Sequence, residues 1–155
     1  MSAKRLLLVA HTPSQNTKRL RDAVLEGAYK NEPAHVNVKW IAPLSATHND
    51  VLKAHAIILG TTENLGYMSG ALKDFFDRIY YPCLEKTQGL PYALYIRAGL
   101  DGTGTRRAVE AITTGLRWRA IQEPLICKGD FDENFIDTCR DLGTAVTTGL
   151  DAGIF

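Results

Sequence analysis

Thr12, Ser14, Asn16 and Thr17 fall within one short segment, His11-Thr12-Pro13-Ser14-Gln15-Asn16-Thr17, which joins an apolar run to a helical pattern. Each of the four side chains can hydrogen-bond an anion, and the free N–H groups that open the following helix point the same way. That combination is the physics of a phosphate cradle. It requires no arginine, because the helix terminus itself carries partial positive charge. The segment has neither the Gly-Lys-Ser/Thr ending of a nucleotide-hydrolysing P-loop nor the glycines of a dinucleotide fingerprint. The same residue types also cap helices, so a simple capped turn is the competing reading. Gln15 belongs to the segment and can equally face solvent.

Two further segments carry polar groups and glycines between apolar runs: Thr61-Thr62-Glu63-Asn64-Leu65-Gly66-Tyr67-Met68-Ser69-Gly70, and Ala98-Gly99-Leu100-Asp101-Gly102-Thr103-Gly104. Gly102-x-Gly104 is no dinucleotide fingerprint, since a third glycine and a ribose-binding acid at the expected distance are missing. Gly66 can take φ > 0, and the glycines of the later segment permit close backbone approach. His11, His35, His48 and His55 share no metal-ligand spacing. Cys83, Cys127 and Cys139 stand far apart with no CxxC pair, which suggests buried, reduced thiols rather than a disulfide framework or a zinc site. Arg106, Arg107, Arg117 and Arg119 are placed on one helix, either as a solvated basic face or as a grip for the phosphates of a pyridine nucleotide.

These segments must be held by regular elements. Leu6–Ala10 and Ala56–Gly60 are short continuous apolar runs, as strands buried on both faces should be. Val36, Val38 and Trp40-Ile41 alternate as a strand, Pro91–Arg97 forms another, and Ile121–Cys127 a fifth. Helices are expected from Lys18 to Tyr29, where Asn31-Glu32-Pro33 breaks the pattern, from Ala71 to Tyr81, from Thr105 to about Arg119, and after Asp132 or Asn134. A short helix capped by Asn49 or Asp50 precedes the third strand. Leu72, Phe75, Phe76 and Ile79 form an apolar stripe, with Lys73–Asp77 and Asp74–Arg78 as i,i+4 pairs on the opposite face. Phe135, Cys139, Leu142, Val146 and Leu150 form the stripe of the last helix. Trp118 packs either between subunits or against the fifth strand. Alternation of strand and helix throughout predicts a parallel sheet covered on both faces, with a ligand at the carboxyl ends of the first and third strands, where strand order reverses.

Ser69-Gly70-Ala71-Leu72-Lys73-Asp74-Phe75-Phe76-Asp77-Arg78 and the two loops after the first and third strands resemble the flavodoxin-like superfamily, above all its NAD(P)H-dependent FMN reductases. Thr62 stands where many relatives have proline. The resemblance implies a single domain over residues 1–155, an α/β three-layer sandwich with a five-stranded parallel sheet of order 2-1-3-4-5. It implies FMN as cofactor, with Thr12, Ser14, Gln15, Asn16 and Thr17 around its phosphate. Thr61, Thr62, Glu63, Asn64, Leu65, Gly66 and Tyr67 would meet the ring, together with Ala98, Gly99 and Gly102. In that picture the Gly66 peptide turns to meet the changed protonation at flavin N5, Tyr67 stacks on the ring or anchors the loop, and Met68 is a soft apolar neighbour. Glu63 either serves the ring's pyrimidine edge or is a solvated charge. No side chain is expected to be catalytic, since the flavin carries the chemistry.

The 155 residues include 18 Lys and Arg against 17 Asp and Glu, a formal net charge of +1. That balance gives no footprint for nucleic acid, and no apolar run is long enough for a membrane span or a signal h-region. A cytoplasmic location is the expectation. Near-neutrality leans toward an oxidoreductase using NADH or NADPH as co-substrate and a quinone, free flavin or other acceptor, since electron-carrier flavodoxins are markedly acidic. The alternative is such a carrier, docking with a redox protein and oxidising no NAD(P)H itself. Self-association as a homodimer is left open by the sequence.

Overall fold

The computed structural model describes residues 3–29 and 35–155; the helix breaker read at residues 31–33 lies outside them. Strands β1 (Lys4–Ala10), β2 (Val36–Ile41), β3 (Ala56–Asn64) and β5 (Pro91–Ala98) alternate with helices α1 (Gln15–Tyr29), α2 (His48–Lys53), α3 (Gly70–Cys83), α4 (Thr103–Gly115) and α5 (Asn134–Asp151). Short strands β4 (Tyr67–Met68), β6 (Arg119–Ala120) and β7 (Leu125–Lys128) complete the set. The sheet runs β2-β1-β3-β5-β6 in parallel, with β7 beside the far half of β5 and β4 folded antiparallel on the end of β3. This is the expected order, with one correction. The fifth strand is two pieces, because residues 122–124 leave the ladder after the Ile121 N–H donates to Tyr92 O at 3.0 Å. Pro124 has no N–H to donate, and Gln122 and Glu123 face solvent, so only the pieces on either side pair with β5.

The two faces of β1 explain the layering. Leu6 and Leu8 face α1 and α5, where Leu20, Val24, Cys139, Leu142 and Val146 close one core. Leu7 and Val9 face the other layer, where Val51, Leu72, Phe75, Phe76, Ile79 and Val109 close the second. A strand buried on both sides must be apolar at every position, which is why these runs show no alternation. Trp118 corrects its expected placement. It is buried against Phe76 and Tyr92, with ring centroids 6.3 and 6.2 Å away, and donates Nε1–H to Thr87 Oγ1 at 2.8 Å.

Helix limits differ at their caps. Thr47, rather than Asn49 or Asp50, caps α2 in a capping box with Asp50. Ser69 caps α3 by accepting the Leu72 N–H at 3.1 Å. Helix α4 ends at Gly115, and Arg117 adopts φ 60° beyond it, so neither Arg117 nor Arg119 is on that helix. Both expected ion pairs of α3 form, Lys73–Asp77 at 2.6 Å and Asp74–Arg78 at 2.8 Å. Among the described residues no helix is long and apolar enough to cross a membrane.

Candidate functional site

Three loops meet at the carboxyl end of the sheet, where β1 and β3 diverge. The His11 N–H donates to Gly60 O at 3.0 Å and ties the first loop to the second, while Trp40 Nε1–H donates to Ala10 O at 3.1 Å. Ser14 and Thr17 hold each other: Thr17 N–H donates to Ser14 Oγ at 3.1 Å, and Ser14 N–H to Thr17 Oγ1 at 2.9 Å. Thr17 Oγ1 also donates to Ser14 O at 2.9 Å and is buried. The hydroxyl pair therefore does cap α1. Capping and anion binding are compatible, because the N–H groups of Gln15 and Asn16 lie ahead of the first intrahelical acceptor and have no protein partner among the described residues. No acidic residue occupies this first turn. Thr12 is half-buried, and Ser14, Gln15 and Asn16 are exposed. The His11 Nδ1 atom is buried without a partner, and desolvation holds the imidazole below its ordinary range.

The second loop is a hairpin, not an open loop. β3 continues to Asn64, and Leu65 and Gly66 turn the chain with φ 53° and 74°. Two successive left-handed residues match the right-handed twist of the flanking strands, and β4 then returns antiparallel with Asn64 opposite Tyr67. Thr61 is committed to this bracket: its hydroxyl accepts the Ser69 N–H at 3.0 Å and donates to Thr62 O at 2.9 Å. Thr62 Oγ1 donates to Asn64 Oδ1 at 2.9 Å. Met68 points into the core instead of toward the loops. Leu65 is fully exposed and Tyr67 is 40% exposed, so both side chains stand at the rim.

The third loop leads from buried Ala98 through exposed Gly99 and Leu100 to Gly102, which opens α4 at φ 72° over Ile126. Asp101 accepts the Thr103 N–H at 3.0 Å, and that bond lowers its carboxyl below the usual range. Glu63 is half-buried and bonded within the protein rather than a solvated charge. Its carboxylate reaches from the hairpin to accept the N–H groups of Leu100 at 2.9 Å and Gly102 at 2.8 Å. Arg106 is held by Glu110 at 3.1 Å and Glu123 at 2.9 Å, whereas Arg107 is exposed and has no ion pair among the described residues. Arg97 stacks on Phe131 and Phe135 and donates to Ala98 O and Cys127 O, and Arg19 covers Phe131 from α1.

Sequence patterns did not single out Glu63 for its bonds to the third loop, or His11 for its buried, unpartnered Nδ1. The one local sign was a charged residue in the middle of an otherwise neutral loop. Among the described residues no group of His, Cys, Asp and Glu could hold a metal, and all three cysteines are buried thiols. A surface concavity of about 330 Å³ lies beside α2, bounded by Arg5, Lys39 and Lys53, and includes no residue of the three loops.

A three-layer α/β sheet with its loops gathered at the reversal of strand order defines a flavodoxin-like fold, and this chain has it. A flavodoxin of Aquifex aeolicus is 30% identical over 112 residues, covering 72% of this chain and 60% of that protein. The chain thus spans three-fifths of the length of the curated relative it matches. The structure of an archaeal flavodoxin superposes with a TM-score of 0.77 at 17% identity, covering 95% of this chain and 99% of that one. An azoreductase from Bacillus anthracis superposes at 0.73 and 12% identity, covering 93% and 98%. No family model matches the sequence.

Proposed function

We propose that the chain binds FMN across the carboxyl ends of β1, β3 and β5 and works as a redox protein. The observation that carries this reading is the α1 terminus, with the Gln15 and Asn16 N–H groups unpartnered among the described residues, on a loop tied to β3 through the His11 N–H and Gly60 O. Buried, unpartnered His11 Nδ1 on that loop is a further polar atom that a ligand would satisfy. Thr12, Ser14, Gln15, Asn16 and Thr17 would hold the phosphate. Thr62, Asn64, Leu65, Gly66 and Tyr67 would meet the ring with Ala98, Gly99 and Gly102, and Thr61 and Glu63 brace them. Bound FMN supplies one- and two-electron transfer. The protein's own part is to neutralise the phosphate at a helix terminus, to hold the hairpin peptides toward the ring, and to cover it with Tyr67. FMN rather than FAD is the reading, because the helix terminus of the first loop suits a terminal phosphate.

Two uses of that cofactor remain as readings. Net charge of +1 and the exposed, unpaired Arg107 beside the third loop favour an enzyme that takes hydride from NADH or NADPH and passes electrons to a quinone, flavin or other small acceptor. Similarity to a flavodoxin in sequence favours a carrier that docks with a redox protein. The absorbance spectrum of purified protein, the mass of its released chromophore and anaerobic bleaching by NADPH or NADH separate them. Released FMN with bleaching and steady turnover supports the enzyme. FMN that neither nucleotide reduces, yet that a separate reductase does, supports the carrier. Released FAD, or no uptake of FMN on titration, removes the cofactor reading.

A further inference from the structure

We propose that Glu63 is a positioning residue whose carboxylate clamps the β3–β4 hairpin and the β5–α4 loop into one preformed jaw; its role toward a cofactor rests on the FMN reading above. The β3–β5 ladder ends at the pair Thr62–Arg97. Beyond it β3 and β5 separate, and Leu100 and Gly102 lie past the end of β5 at Ala98, outside the strand ladders. Glu63, the first residue past the ladder, supplies both acceptors from its side chain: one oxygen takes the Leu100 N–H at 2.9 Å and the other the Gly102 N–H at 2.8 Å. Gly102 opens α4 with no side-chain cap of its own, so the carboxylate also sits where the helix dipole favours negative charge. Two further ties reinforce the clamp. Thr105 Oγ1 donates to Tyr67 O at 3.0 Å, and the Gly66 carbonyl packs so closely on Gly104 that a Cβ there would lie 2.2 Å from the oxygen. Both loops assigned to the ring are thus joined by the protein's own hydrogen bonds, which lowers the ordering cost that binding would otherwise carry.

The chemistry is specific to a glutamate. A glutamine offers one acceptor and turns an NH₂ group against the second N–H. An aspartate keeps the charge but is one methylene short of reaching both. Amide hydrogen exchange in the ligand-free protein, with titrations of FMN and riboflavin, compares wild type with Glu63→Gln and Glu63→Asp. The expected result is exchange at Leu100 and Gly102 faster by about tenfold in both variants, for loss of charge-assisted hydrogen bonds. Affinity for FMN and riboflavin should fall by the same factor, about fivefold or more, since the clamp acts on the ring and not on the phosphate. Wild-type behaviour of Glu63→Asp would show that charge alone matters and overturn the clamp, as would unchanged exchange in Glu63→Gln. Faster exchange with unchanged flavin affinity overturns the role toward the ring. Wild-type protein that takes up no FMN fails the cofactor reading instead, and the exchange arm still decides whether the clamp exists. Glu63→Gln is near-isosteric, so a folded variant is available even where alanine would not fold.

Discussion

Ser14 and Thr17 cap α1 and, in the proposed reading, also line the phosphate cradle, so their replacement tests both. The double change Ser14→Ala with Thr17→Ala removes the reciprocal cap of α1, at about 1 kcal/mol per cap hydroxyl, and removes hydroxyls from the phosphate cradle. A thermal melt should therefore show a lower midpoint, and FMN titration of the folded variant should show affinity down by about tenfold or more. Unchanged affinity would mean that the Gln15 and Asn16 N–H groups suffice. His11 makes a second residue-scale prediction. Burial lowers its folded pKa, so the unfolded chain binds the proton more readily. Stability should consequently decline as pH falls below about 6.5, the unfolded value, and the decline should end once the folded imidazole also titrates. Urea unfolding of wild type and His11→Asn between neutral and mildly acid pH checks this, with a flatter profile expected for the variant. Residue type alone left these roles undecided: a polar residue declares that it can hydrogen-bond, not whether its partner is a helix end, another loop or a ligand.

Elements place these residues, and small residues decide how closely the elements approach. A Cβ on Gly27 would lie 1.8 Å from Arg140 O, and one on Gly143 would lie 2.0 Å from Val24 O, so α1 and α5 touch backbone to backbone. Glycine-to-alanine within an exposed helix normally stabilises by about 1 kcal/mol. At Gly27 the sign should reverse, with a loss of about 1–3 kcal/mol from overpacking, read as a lower urea midpoint at unchanged slope. Gly66 is a contrasting case, because nothing lies within 4 Å of a Cβ there and only its φ of 74° resists substitution. Gly66→Val should cost about 1–2 kcal/mol in urea unfolding, from left-handed strain alone. In the FMN-loaded protein it should also shift the midpoint potential if the Gly66 peptide serves the ring; a parent-like potential would remove it from that role. Element identity was readable from apolar runs and helical stripes. The hairpin was not, since Leu65-Gly66 lacks the Asn-Gly pair that usually announces such a turn.

At the scale of the whole molecule, ligand and fold are linked. FMN at about 100 times its Kd should raise unfolding free energy by about 2.7 kcal/mol, and riboflavin at the same concentration should raise it less, by the share the phosphate contributes. Thermal or urea melts with each flavin measure that difference, and equal shifts would mean that the α1 terminus holds no phosphate. Local patterning by itself determined the class of fold and the order of strand and helix, because burial on one or both faces leaves a periodic mark on neighbouring residues; it offered His11–Thr17 only as a candidate cradle. Tertiary structure alone decided where long side chains go. Glu63 meets partners 37 and 39 residues away, Trp118 turns into the core against Phe76, and Arg117 and Arg119 leave α4 for the turn that follows it and the first position of β6. Periodicity reports which face of an element is covered. It carries no record of which distant backbone a crossover brings within hydrogen-bonding reach.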